Sequence, residues 1–169
     1  MRSSPRKLSS EIEIYTAAVN GLARRAYSVH EMRNYLERRA EDKESVKKIM
    51  DLLKDQKYLD DARYARHFVR LHSEFRKQGA FRIARDLRAR GVPDRYIEAA
   101  LAERSAESDE SAIVREKLSR RMKTLRRPLD EKKKASIYRS LLRAGFSSET
   151  IRREMREVAK VSVDEIDVE

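Results

Sequence analysis

The fold turns on the stretch YLDDARYARHFVRLHSEFRKQGAFRIARDLRARG, residues 58–91. Tyr64, Phe68, Leu71 and Phe75 recur at i, i+4, i+7 and i+11, the spacing that stacks side chains on one face of an α-helix. Asp60 or Asp61 supplies the oxygen that the first free N–H groups of such a helix need. Gly79 interrupts the pattern, and a second helix follows with Ile83, Ala84 and Leu87 inward. Arg82 and Arg85 fall opposite that apolar stripe, and Arg88 beside it. Gly91 takes positive φ without a Cβ clash and so closes this helix. From Arg63 to Arg95 there are ten basic and three acidic residues, which makes the stretch a packed helical unit with a basic exterior.

The pattern recurs on both sides. Leu36, Leu87 and Leu141 are equivalent at offsets of 51 and 54 residues. Met32, Ile83 and Ile137 precede them by four residues, and Ala40, Gly91 and Gly145 follow by four. Val46, Ile97 and Ile151 stand ten residues on; Met50, Leu101 and Met155 stand fourteen on. The matches include turn chemistry as well as hydrophobicity, so the chain reads as three tandem three-helix repeats with no sheet. The repeats span residues 11–57, 58–104 and 105–160, between a disordered basic arm (1–10) and a frayed acidic tail (161–169).

Local signals place the other helices. Ser28, Asp42, Asp130 and Ser147 read as N-caps, Pro93 opens a first turn, and Pro128 interrupts. Ser105–Ser111, small and acidic, reads as a boundary. A repeat of about 50 residues buries little apolar surface alone. Stacked repeats complete each other's cores, which predicts an elongated, curved, monomeric array with a long concave face.

Composition narrows the function. The chain has 169 residues, of which 40% are hydrophobic and 41% charged; such a ratio suits small helical units better than one large core. Four Gly and three Pro leave helix almost uninterrupted. A net charge of +11, concentrated in Arg63–Arg95 and Arg115–Lys134, points to a polyanion partner, above all nucleic acid. The absence of Cys excludes disulfides and thiolate metal sites and fits a reducing cytoplasm. No apolar run approaches the roughly 18 residues of a membrane span.

Catalytic constellations are missing from the sequence. His30, His67 and His72 make no metal-ligand spacing with one another, and no nucleophile-base order or Gly-rich phosphate loop can be assembled. Asp60-Asp61 and Asp130-Glu131 stand at helix starts, where capping accounts for them. The expectation is a non-enzyme without cofactor or metal. The candidate binding residues are Arg24, Arg25, Lys77, Arg82, Arg85, Arg88, Arg120, Arg121 and Arg126. For Arg24 and Arg25 the dipole of a helix C-terminus is an equal explanation.

These residues resemble the bacterial RecX recombination regulators. The likeness rests on Ala23-Arg24-Arg25-Ala26-Tyr27-Ser28 with Leu36, on Tyr58-Leu59-Asp60-Asp61-Ala62-Arg63-Tyr64-Ala65, on Gly79 with Arg82-Ile83, Leu87 and Gly91-Val92, and on Gly145-Phe146-Ser147 with Ile151. It covers roughly Glu11 to Val158, and the family's tandem three-helix fold matches the repeat reading. The sequence departs at Lys57, where the family often has Gly before Tyr-Leu-Asp-Asp, and at Ala40, where a Gly often ends the second helix. The resemblance implies a cytoplasmic regulator of DNA recombination and repair. Such a protein binds the RecA recombinase filament in its groove, meets the single-stranded DNA there, and inhibits filament growth, ATP hydrolysis, strand exchange and repressor cleavage. The rivals are a freestanding helical DNA-binding regulator acting through its basic face and a plain helical scaffold; against the first, no helix carries a base-reading cluster.

Overall fold

A computed structural model describes residues 7–107, 109–124 and 131–164. Among these the chain is all-α, a helical repeat array: α1 (Glu11–Arg24), α2 (Val29–Glu37), α3 (Lys43–Asp55), α4 (Asp61–Arg70), α5 (Ala80–Ala89), α6 (Asp94–Glu107), α7 (Glu110–Thr124), α8 (Glu131–Arg143) and α9 (Ser148–Asp164). A π-helical turn, Leu71–Phe75, continues α4.

Caps account for the helix starts. Ser28 and Glu31 form a reciprocal capping box on α2, and Asp42 accepts from the N–H groups of Glu44 and Ser45. Asp60, not Asp61, caps α4 by accepting from Ala62 and Arg63 at 2.9 and 3.0 Å. Ser147 accepts from Thr150 at 2.9 Å. Each such cap contributes about 1 kcal/mol. The expected interruption at Pro128 and cap at Asp130 lie outside the described residues.

The chain divides into two compact units, Met1–His67 with Leu87–Ile97, and Phe68–Asp86 with Glu98–Glu169. The first has a core of Ile14, Met32, Leu36, Val46, Met50 and Leu53. The second has one of Val114, Leu118, Ile137, Leu141, Phe146 and Ile151. Every member of the equivalent sets Met32/Ile83/Ile137, Leu36/Leu87/Leu141 and Val46/Ile97/Ile151 is buried. Burying such a side chain contributes about 1.5–3 kcal/mol.

The turns behave as their residues dictate. Gly91 and Gly145 take φ of +71° and +91°. Behind them the N–H of Val92 donates to Leu87 O and that of Phe146 to Leu141 O, the six-to-one bond of a Schellman ending. Ala40 ends α2 differently: its neighbours Arg39 and Glu41 exchange backbone hydrogen bonds with Leu8 at 2.8 and 3.0 Å.

Each unit contains one joint between a helix start and a distant turn. In the first, Ser28 Oγ donates to Arg90 O at 2.6 Å, and the N–H of Val29 donates to Asp61 at 2.9 Å. In the second, the N–H of Gly79 donates to Ala144 O at 2.8 Å, and that of Ala80 to Glu110 at 3.0 Å. Ser28 and Gly79 are 51 residues apart, and Arg90 and Ala144 are 54 apart, so the repeat offsets carry over to the joints.

Three expectations are corrected. Phe75 is 74% exposed and Leu71 also lies open, while Ala65, Phe68, Val69, His72 and Ser73 are buried. Leu71 and Phe75 mark an edge, and the core lies roughly a quarter turn away. The basic arm is ordered from Lys7, through the Leu8 bridge and the Ser10 cap on α1. Within Ser105–Ser111, read as a boundary, α6 ends at Glu107 and α7 begins at Glu110. α9 continues to Asp164, into the stretch expected to fray.

Candidate partner-binding surface

The candidate cations stand at helix ends and on helix faces, and their neighbours differ. Arg24 is exposed in the last turn of α1. Arg25 is held: its guanidinium lies 3.6 Å over the Tyr27 ring and reaches Glu31 at 3.3 Å. Stacking and pairing together keep the cation in one place.

Glu31 anchors that corner. It accepts from the Ser28 N–H at 3.1 Å, pairs with Arg90 at 2.6 Å, and accepts from the Tyr64 hydroxyl at 3.3 Å. Burial pushes its carboxyl up, but the Ser28 N–H and the charges of Arg25 and Arg90 overcome that and hold it below the ordinary glutamate value. Asp61 is displaced the other way, raised by burial against its bond from Val29. The Ser-x-x-Glu signature made Glu31 readable as a capping partner. Its ion pairs with two arginines had no sequence signal.

Along α5 the three arginines differ. Arg85 is the most open, its side chain 72% exposed with Asp86 at 3.7 Å. Arg88 bonds Asp94 at 2.6 Å. Arg82 is not a purely outward cation: its Nε is buried without a hydrogen-bond partner, and its guanidinium donates to Arg143 O at 3.4 Å. Its Cβ packs so closely that a side chain on Gly145 would overlap it.

The structure brings Lys77 and Arg120 together on Glu116, at 3.9 and 2.6 Å. Lys77 arrives there from a left-handed backbone, φ 50°. Lys117 joins the cluster from α7, half-buried; burial and the charges of Arg120 and Lys77 lower its pKa against the pull of Glu116. Sequence reasoning missed Lys117 as a member, because only the fold brings Lys77 beside α7. Arg121 is exposed on the same helix. Arg126 lies outside the described residues.

Arg115 turns elsewhere. It bonds Glu154 at 2.9 Å, a carboxylate only 2% exposed that Arg153 also pairs with. Arg153 in turn donates to Ser111. The spacing of Ile151 and Met155 did not mark Glu154 as buried, and its partners had no local signal either. His72 is likewise structural, stacked 3.8 Å from Phe68 and bonded to Gln78 at 2.7 Å.

Fixed guanidinium and ammonium groups on helix surfaces can take phosphates or carboxylates in a defined geometry. Among the described residues there is no group of three or more His, Asp or Glu placed to hold a metal ion, and no helix long and apolar enough to cross a membrane.

A tandem-repeat helical protein with a basic surface is the class that these features define. Models of the RecX second three-helix domain and third three-helix domain match residues 60–101 and 108–155. The regulatory protein RecX of Prosthecochloris aestuarii is 30% identical over 141 residues, covering 83% of this chain and 90% of that protein. RecX of Halorhodospira halophila is 36% identical over 136 residues, 80% of this chain and 82% of that protein. The chain spans only 51% of the longer RecX of Geobacillus kaustophilus, at 31% identity. The crystal structure of RecX from Lactobacillus salivarius superposes with a TM-score of 0.74 at 25% identity, over 88% of this chain and 96% of that one. The chain belongs to the RecX family of regulatory proteins.

Proposed function

We propose that this protein is a non-enzymatic regulator that docks on the RecA recombinase filament assembled on single-stranded DNA and inhibits its growth. ATP hydrolysis, strand exchange and promoted repressor cleavage fall with it. Membership of the RecX family is the observation that carries this reading, and the exposed cations supply its physical means. The filament offers an anionic DNA backbone and protein carboxylates in a repeating helical array, which a basic helical-repeat surface can follow. Arg24, Arg85, Arg120 and Arg121 are the proposed contacts. Arg25 and Arg88 are held by Glu31 and Asp94, and Lys77 and Arg120 share Glu116. Arg82 contributes to packing as well.

The test is sedimentation of the purified chain with preformed filaments and, separately, with bare single-stranded DNA at the same salt. Saturable co-pelleting with filaments, in excess of that with bare DNA, is expected. Equal pelleting with both would favour a freestanding DNA-binding protein.

A further inference from the structure

We propose that the cleft between the end of α1 and the start of α4 binds an unpaired nucleobase of a single-stranded nucleic acid. The site adjoins Arg25, which lies over one of its rings, and it is tested apart from the filament reading, without any recombinase. The cleft is open to solvent and has a volume of about 450 Å³, against roughly 300–1,000 Å³ for small-ligand pockets. Its lining includes three tyrosines, Tyr27, Tyr58 and Tyr64, together with the apolar Leu22.

Two of the rings are fixed in advance. Tyr27 lies under the Arg25 guanidinium, and the Tyr64 hydroxyl is bonded to Glu31. The third, Tyr58, is 53% exposed, a large aromatic surface whose burial folding leaves incomplete. A ring available beside two fixed rings can receive a flat π-system by stacking.

The charge at the cleft selects the ligand further. Arg63 lines it and is steadied by donating to Lys57 O at 2.8 Å; His67, four residues on, lies on the same helix face. Among the described residues Asp60 is the only carboxylate in the lining, and its Oδ1 accepts from the N–H groups of Ala62 and Arg63. A nucleotide uses both features at once, its base against the rings and its phosphate toward Arg63. An acidic peptide would use the cation and leave the rings idle.

The experiment uses the full chain without any recombinase. Fluorescence anisotropy compares a labelled oligo(dT) with an abasic oligodeoxynucleotide of equal length and charge. The expected result is tighter binding of oligo(dT), by about fivefold or more. Tyr58→Ala should abolish that preference while leaving abasic binding in place, and Tyr58→Phe should keep it. Circular dichroism checks that each variant remains helical. Equal affinity of the wild type for the two oligonucleotides would overturn the proposal, and this comparison needs no variant. A folded Tyr58→Ala protein that still preferred oligo(dT) would also overturn it. So would a poly-glutamate peptide of equal charge that bound as tightly as oligo(dT) and lost affinity in Tyr58→Ala.

Discussion

The joint at Ser28 and the joint at Gly79 perform the same task with different chemistry. At Ser28 a side chain reaches the Arg90 carbonyl, and Glu31 ties Arg25, Arg90 and Tyr64 into the same corner. At Gly79 the backbone itself makes the bond to Ala144, and Phe81 adds a second from its N–H to Gly145 O at 3.1 Å. A Cβ on Gly79 would overlap the Gly145 carbonyl, so the approach exists only because Gly79 has no side chain. Side-chain reach and backbone contact are thus interchangeable ways of seating a helix start on a turn. They differ at the helix start itself: the first needs the Ser28 hydroxyl to reach the turn, whereas the second needs Gly79 to have no side chain.

That contrast predicts an asymmetric pair of substitutions. Gly79→Ser, which installs the residue found at the equivalent position, should be the more damaging of the two. An overlap with backbone that cannot swing aside costs about 3 kcal/mol or more, read as a lower midpoint in urea unfolding. Ser28→Gly, the reverse exchange, should cost only about 1 kcal/mol, since it removes one hydrogen bond and weakens a cap that glycine partly replaces. Equal costs would show that the two joints are not the alternatives described.

Glu31 sharpens the comparison through pH. Its folded-state pKa lies below the ordinary value of 4.5. Its contribution is therefore fully present above that value and is lost as pH falls through the lower, folded one. Asp61 opposes it: a raised carboxylate destabilises the fold once ionised, and acid relieves that penalty. Glu31→Gln should therefore lose less stability than the wild type on acidification below about pH 4.5, while being the weaker protein near neutrality. Parallel pH profiles would remove the electrostatic role given to the Ser28 joint.

The smallest effect is a gain. Lys57 closes α3 at φ 61°, with the Tyr58 N–H donating to Leu53 O at 2.9 Å, an ending that glycine adopts without strain. Lys57→Gly should stabilise by about 0.5–1 kcal/mol, measured by thermal unfolding. A loss would show that the lysine side chain contributes more than its backbone conformation costs.

Much of this architecture was legible because local and global signals agree. Helical spacing picked out Leu36, Leu87 and Leu141, and the caps at Ser28, Asp42 and Ser147 followed from residue type and position. Lys57 was visible as a departure before its backbone was known. Phe75 misled because a large apolar residue was weighed above the smaller Ala65, Val69 and Ser73 that fill the core. The surface was harder. Helical spacing set Arg82 and Arg85 alike on the polar side of α5, and only tertiary packing separates the buried Nε of one from the open side chain of the other. Beside their local neighbours, Glu154 meets Arg115 from 39 positions away and Lys117 feels the charge of Lys77 from 40 away, which no local pattern encodes.

The central claim meets its most direct test in the single-stranded-DNA-dependent ATPase of RecA, titrated with this protein. The wild type should suppress hydrolysis progressively while showing no hydrolysis of its own. A variant carrying Arg85→Ala, Arg120→Ala and Arg121→Ala, checked as helical by circular dichroism, should need a distinctly higher concentration for the same suppression. ATPase activity that stayed unchanged at saturating wild-type protein would contradict the account.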